Sequence, residues 1–107
     1  MNSEYIQVVT TVATAAEAER IASGLLEARL AACVQIVGPL TSMYWWQGKI
    51  DRAGEYQCLI KSRADRFQQV AEAISGLHPY EVPEIIALPL TAISQGYQQW
   101  LAAELPA

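Results

Sequence analysis

The residues best equipped for chemistry fall in one heptapeptide, His78-Pro79-Tyr80-Glu81-Val82-Pro83-Glu84, which sets an imidazole, a phenol and two carboxylates within seven positions. Each proline fixes its own φ and drives the residue before it into extended geometry. Such a loop is stiff before any ligand arrives, so little ordering entropy is lost on binding. Two thiols, Cys33 and Cys58, lie elsewhere. Thiolate suits a soft ion such as Cu(I), and imidazole suits Cu(II). A closed zinc site wants four nitrogen or sulfur ligands, which one histidine and two distant cysteines do not supply. A third cluster, Lys61, Arg63 and Arg66, surrounds the expected start of the second helix, where free N–H groups and the helix dipole favour an anion.

Each feature also has a plainer reading. A proline-framed loop serves as a rigid connector with solvated charges, a free cysteine is most often a packed small apolar residue, and a charge cluster is usually a wet face. Catalytic patterns are thin. The sequence has no G-x-S-x-G, no glycine-rich phosphate loop and no H-E-x-x-H. Glu81 and Glu84, three apart on an extended loop, point different ways. The chain is therefore read as a non-enzyme.

The elements that must position these groups are organised around the stretch from Leu30 to Arg63. Ala32 to Trp46 is rich in Val, Ile, Thr, Tyr and Trp, and Tyr56 to Lys61 is a second strand-type run. Either Gln47-Gly48-Lys49 or Arg52-Ala53-Gly54 supplies the turn between them. A fifteen-residue strand spans ~50 Å at ~3.3 Å per residue, whereas a domain of this length is roughly 34 Å across. The arm outruns its domain, so either Gly38-Pro39 bends it back or other copies of the chain cover Met43, Tyr44, Trp45 and Trp46.

The rest of the chain frames that arm. Tyr5 to Ala13 reads as the first strand, and Thr14 with Glu17 gives a capping-box start to a helix whose apolar stripe is Ala18, Ile21, Ala22, Leu25 and Ala28. Ser62 with Asp65 opens a second helix carrying Phe67, Val70, Ala71 and Ile74, with Gly76 as its stop. Glu84 to Ile93 is a last strand, and Ser94 caps a terminal helix with Tyr97, Trp100, Leu101 and Leu105 on one side. The order βαββαβ plus a helix is that of the ferredoxin-like α+β fold. Right-handed crossovers then give an antiparallel sheet in the order 4-1-3-2. Pro39 and Pro89 fall on its expected edge strands, where proline belongs.

Composition narrows the function classes. The 107 residues form one expected domain, 52% hydrophobic and only 17% charged, with net charge −4. An acidic chain is poorly suited to nucleic-acid phosphates, and no apolar run reaches the ~18 residues of a membrane helix. The opening MNSEYIQVV has neither a basic nor an apolar signal region, so a cytoplasmic protein is expected. With a turn at Gln47-Gly48, Cys58 falls opposite Val37, four residues or ~13 Å from Cys33. The later turn places it opposite Gln47, farther still. Both exceed the ~7 Å limit for a disulfide, so the thiols are expected free. Cys33 and the His78 loop belong to opposite ends of the sheet, on the order of 20 Å apart, so a site using both must span subunits. Two long edge strands are an aggregation hazard unless copies pair. A homo-oligomer whose core includes Tyr44, Trp45 and Trp46 follows.

LAACVQIVGPLTSMYWWQGKI, the Lys61 strand end, LHPYEVPEIIALPL and the closing YQQWL together resemble the CutA family, named for divalent-cation tolerance, over essentially the whole chain. The resemblance implies a ferredoxin-like subunit assembled as a homotrimer through its long hairpins, similar in architecture to the trimeric PII signalling proteins. It implies copper binding and a response to metal ion, with copper or another divalent cation as the expected ligand. Cys33 and His78 occupy positions proposed as copper ligands in relatives. Some members also carry a cysteine near the end of the first strand, where this chain has Thr10 and Thr11, and one soft ligand is thereby missing. The PII-like arrangement implies an alternative. Clefts between subunits, lined by Trp45, Lys61, His78, Tyr80, Glu81 and Glu84, would take a small anionic metabolite.

Overall fold

A computed structural model describes residues 4–107; Met1–Ser3 of the opening segment lie outside the described residues. The elements are β1 (Tyr5–Val12), α1 (Ala15–Glu27), β2 (Cys33–Trp46), β3 (Lys49–Arg63), a 3-10 turn (Ala64–Arg66), α2 (Phe67–Leu77), β4 (Ile86–Pro89) and α3 (Gln95–Glu104). The sheet order is β2-β3-β1-β4, with every pair antiparallel. This is the expected α+β ferredoxin-like arrangement, with both prolines on edge strands.

The strands alternate between two faces. On one, Val8 and Val12 of β1 and Cys58 and Ile60 of β3 pack against Ala18, Ile21 and Leu25 of α1 and Val70 and Ile74 of α2. The Thr14 hydroxyl accepts from the Glu17 N–H at 3.2 Å, which starts α1 where the capping pattern places it. Gly24 is where the two helices meet, since a Cβ there would come within 2.8 Å of Leu77 Cδ1. Ala28 is not part of the buried stripe. It is the exposed C-cap, because α1 has already ended.

On the other face, α3 covers one end only. Tyr5 is buried there, and Leu101 of α3 and its C-cap Leu105 are fully buried. Beyond α3 the face is bare: Val37, Ile86 and Leu88 are each about half exposed.

The hairpin is longer than the sequence pattern indicates. Gln47 (φ 51°) and Gly48 (φ 78°) make a two-residue turn with both φ positive, and Trp46 pairs directly with Lys49. That turn is therefore the one used, while Arg52-Ala53-Gly54 lies inside a fifteen-residue β3. Gly38-Pro39 does not bend the arm back. It forms a bulge, where the ladder shifts between Val37 and Leu40. Gly38 is needed there because a Cβ would meet the Tyr56 ring at 2.5 Å. The molecule measures 44 × 29 × 23 Å, its long axis exceeding the width expected of so short a chain.

Four further expectations are corrected. The bulge moves Cys58 opposite Ile36 rather than Val37. Cys58 and Cys33, which pairs with Lys61, then stand on opposite faces, and both are free. Ser62 does not cap the second helix. It is a buried β3 residue whose hydroxyl donates to the Leu30 carbonyl at 2.6 Å, and α2 begins only after the 3-10 turn. Gly76 lies within α2, and His78 is the cap that ends it. β4 is four residues, not ten: it pairs with β1 alone, and past Pro89 only one bond to Tyr5, the first residue of β1, continues the ladder.

Candidate functional site

The His78 loop is pinned by its own side chains. As the cap of α2, His78 donates its backbone N–H to the Ile74 carbonyl at 2.8 Å, then turns extended. Its ring is nearly buried and lies against the end of β1, with Nε2 2.8 Å from the Thr11 carbonyl oxygen. A carbonyl only accepts, so Nε2 carries the proton. Nδ1 therefore holds the ring's one lone pair, and it accepts the Tyr80 backbone N–H at 3.1 Å.

Tyr80 reaches across to β3. Its ring lies tilted against His78, with centroids 4.7 Å apart, and its hydroxyl donates to Glu55 Oε2 at 2.9 Å. Glu55 is only 6% exposed. Among the described residues no Lys or Arg is paired with it. Glu81 and Glu84, by contrast, are exposed, as is Val82 at the loop's tip.

Burial, and then the hydrogen bond and charge of Glu55, push the Tyr80 hydroxyl from its ordinary 10.0 up to about 12. The folded chain thus holds this proton more tightly than the unfolded one. The stability tied to it is complete below pH 10 and is lost as pH rises from there through about 12. Phenolate absorbance followed upward in pH is expected to show a step near 12. Tyr80→Phe should delete that step, and a step near 12 that survives the substitution would show that Tyr80 is not the tyrosine held by Glu55.

The other named residues are placed apart. Cys33 is half-buried on β2, directly opposite Lys61. Burial and then the adjacent Cys33 push the Tyr97 hydroxyl of α3 upward, so α3 reaches this end of the hairpin. Lys61 Nζ donates to Gln35 Oε1 at 3.1 Å. Thr11, which anchors His78, pairs with Gln57, four β3 residues from Lys61 and two strands from β2. Cys33 and the His78 anchor are therefore on the order of 16 Å apart.

Trp45 pairs with Ile50, eleven β3 residues or ~36 Å from Lys61. A cleft joining Trp45, Lys61 and the loop does not exist within one chain. A groove of about 420 Å³ does exist at α3, between Tyr5, Arg63, Gln95 and Gln98; of the candidate site residues it contains only Arg63, which is held by Asp65. Among the described residues no group of three or more His, Cys, Asp or Glu gathers in metal-binding range. Tested against the donors present, the folded single chain does not fit a copper ion through Cys33 and His78: the two are far apart, and the imidazole lone pair is taken.

The basic cluster at helix two also has a different use. Arg63 grips Asp65 with two nitrogens, at 2.7 and 2.9 Å, and extends to the Leu105 carbonyl. Arg66 donates to the carbonyls of Arg29 and Pro106. Both arginines tie down the C-terminal segment, so the anion site expected at this helix start is replaced by structural contacts. Sequence reasoning missed Glu55 and the Thr11 carbonyl altogether. A glutamate beside a glycine in a strand reads as wet, and a backbone carbonyl has no signature in side-chain pattern.

A split βαββαβ sheet with an overlong apolar hairpin, one bare face and a pinned proline-framed loop defines the class: a ferredoxin-like α+β subunit. Comparison with known proteins narrows this. Residues 6–104 match the family described as CutA1 divalent ion tolerance protein. The divalent-cation tolerance protein CutA of Thermus thermophilus is 45% identical over 94 residues, which cover 88% of this chain and 91% of that one. The crystal structure of CutA1 from the psychrotrophic bacterium Shewanella sp. SIB1 superposes with a TM-score of 0.94 at 36% identity, covering 100% of both chains. The CutA structure from Archaeoglobus fulgidus, described as a periplasmic divalent cation tolerance protein, gives a TM-score of 0.91 at 36% identity, covering 94% of this chain and 98% of that one. The chain belongs to the CutA1 divalent ion tolerance protein family.

Proposed function

We propose that this chain acts as a homotrimer that binds copper or another divalent cation between its subunits and so takes part in the response to metal ion, a binding role and not a catalytic one. One observation carries the assembly. The hairpin leaves Met43, Trp45, Trp46 and Ile50 each more than half exposed in the single chain, Trp45 at 74%. Met43, Trp45 and Ile50 share one face of the paired ribbon and Trp46 lies on the other, and exposed apolar side chains of that size on both faces of a long ribbon mark a protein interface. Three copies are the number the family resemblance implies, with Tyr44, Trp45 and Trp46 in the contact. Two free cysteines favour a reducing, cytoplasmic home. Among the described residues no helix is long and apolar enough to cross a membrane.

The cation reading draws on the family's tolerance name and on two donors of suitable type, the Cys33 thiol and the His78 imidazole. Their separation within one chain means that a site using both takes one from each of two subunits. Calorimetric titration with Cu(II) should show affinity falling about tenfold or more in Cys33→Ala and in His78→Gln. Equal affinity in both variants would remove these residues as ligands and leave only the family assignment standing. The PII-like alternative, a small anionic metabolite in the clefts, has less support. Lys61 is the only cation among the residues proposed to line them, and its ammonium already faces Gln35.

A further inference from the structure

Glu55 is 6% exposed, and the one group that hydrogen-bonds its carboxylate in the single chain is the neutral Tyr80 hydroxyl, on Oε2. The other oxygen is open. Among the described residues Thr10 Oγ1 alone is a side-chain oxygen or nitrogen both buried and without a partner, so Glu55 Oε1 still reaches solvent. A carboxylate set so deep with no cation beside it bears a desolvation cost that nothing in its own chain offsets.

The chain has seven basic side chains. Arg29 holds Glu104, Arg63 holds Asp65, Lys61 faces Gln35, and Arg20 and Arg66 donate to backbone carbonyls. Lys49 and Arg52 remain, both exposed on the hairpin, and among the described residues neither side chain is in an ion pair. Neither reaches Glu55 within its own chain. Lys49 lies six residues, ~20 Å, along the ribbon. Arg52 is three residues away, and strand alternation puts it on the opposite face. That face carries Met43, paired directly with Arg52, and Trp45, paired with Ile50. Met43, Trp45 and Ile50 are each more than half exposed in the single chain.

Covering this apolar face with another copy strips water from the Arg52 guanidinium, which then needs an acceptor. We infer that Arg52 of one copy pairs with Glu55 of the partner subunit. Two groups that lack a charge partner in the single chain complete each other, and Tyr80 keeps Oε2 while the guanidinium takes the open oxygen. Donor and acceptor sit on opposite faces of one ribbon, so the contact is head-to-tail. Each copy gives its arginine on one side and receives an arginine on the other. Such a contact closes as a ring and not as a two-fold pair. The pairing rests on the homotrimer reading above and deepens it, because three copies are a ring that this contact can close.

The test uses the full chain and sedimentation velocity across a dilution series. Arg52→Gln and Glu55→Gln are each expected to raise the concentration of half-dissociation at least tenfold, as loss of one member of a buried ion pair implies. The double variant should be no worse than the worse single one, since both changes remove the same contact. Arg52 has no ion pair within its own chain, and Glu55→Gln keeps an oxygen for the Tyr80 hydroxyl, so circular dichroism should match the parent in both. If Glu55→Gln does not fold, Glu55→Asp, which draws the carboxylate back by one carbon, replaces it in the cycle. If Arg52→Gln sediments as the parent does, if the two single effects simply multiply, or if Lys49→Gln couples to Glu55 in place of Arg52→Gln, the pair is overturned and the assembly stands on its apolar contacts. If the parent is a single chain at every concentration, the pair and the homotrimer reading fall together.

Discussion

Trp45→Ala is expected to break the assembly and leave the subunit folded. In the single chain this ring is 74% exposed, so its loss removes almost nothing from the subunit's own core. In the proposed trimer it is buried between copies, and truncating a buried tryptophan costs ~3–5 kcal/mol per subunit. Each particle loses three such rings, which is enough to turn a particle stable at low concentration into one that dissociates on dilution. Sedimentation velocity across a dilution series should show the parent holding one large species while Trp45→Ala falls to single chains. Far-UV circular dichroism should hardly change. A variant that sediments as the parent does at every concentration would place Trp45 outside the interface. A parent that is itself a single chain would remove the oligomer and, with it, any site built across subunits.

Ile60→Ala should do the reverse. Ile60 is fully buried on β3, between Val8 of β1 and Val34 of β2, in the core that α1 and α2 cover. Removing most of that side chain costs about 2–5 kcal/mol through lost burial and an unfilled cavity, a large share of the ~5–15 kcal/mol that stabilises a domain. The urea midpoint should drop sharply, and the variant should still sediment as an assembly in the absence of denaturant, because the hairpin surface is untouched. The two substitutions together separate the energy that folds the subunit from the energy that joins subunits. A midpoint left where the parent's lies would contradict the central place of Ile60.

The prolines illustrate how far side-chain pattern reaches. Pro39 and Pro89 indicate which strands are at the edges because a residue without an N–H disrupts an interior ladder, and the observed order β2-β3-β1-β4 obeys that constraint. The capping pair Thr14 and Glu17 marks the start of α1 for an equally local reason. The start of α2 is different. Ser62 and Asp65 carry the same kind of signal, yet β1 and the Leu30 carbonyl hold Ser62 in the sheet, and tertiary pairing overrides the local preference.

The bulge at Gly38-Pro39 shows the same limit. The dipeptide announces an irregularity, but whether the arm bends or shifts register depends on Tyr56 filling the space beside Gly38. Residue type and proline framing singled out His78 and Tyr80, while Glu55 gave no signal at all. Their connection depends on a carbonyl at the end of β1 and a carboxylate 25 residues away along the chain.

By itself the sequence determined the topology, the free thiols, the proline framing of the 78–84 loop and the presence of an apolar ribbon too long for its own domain. These follow from properties a residue carries with it: volume, polarity, a missing N–H, a fixed φ. Tertiary structure alone decided that β3 runs fifteen residues, that Arg63 and Arg66 hold the C-terminal segment instead of an anion, and that both nitrogens of His78 are engaged. Hydrogen bonds to backbone carbonyls and amides settle all three, and every residue type offers those groups alike, so only the folded arrangement selects which of them meet.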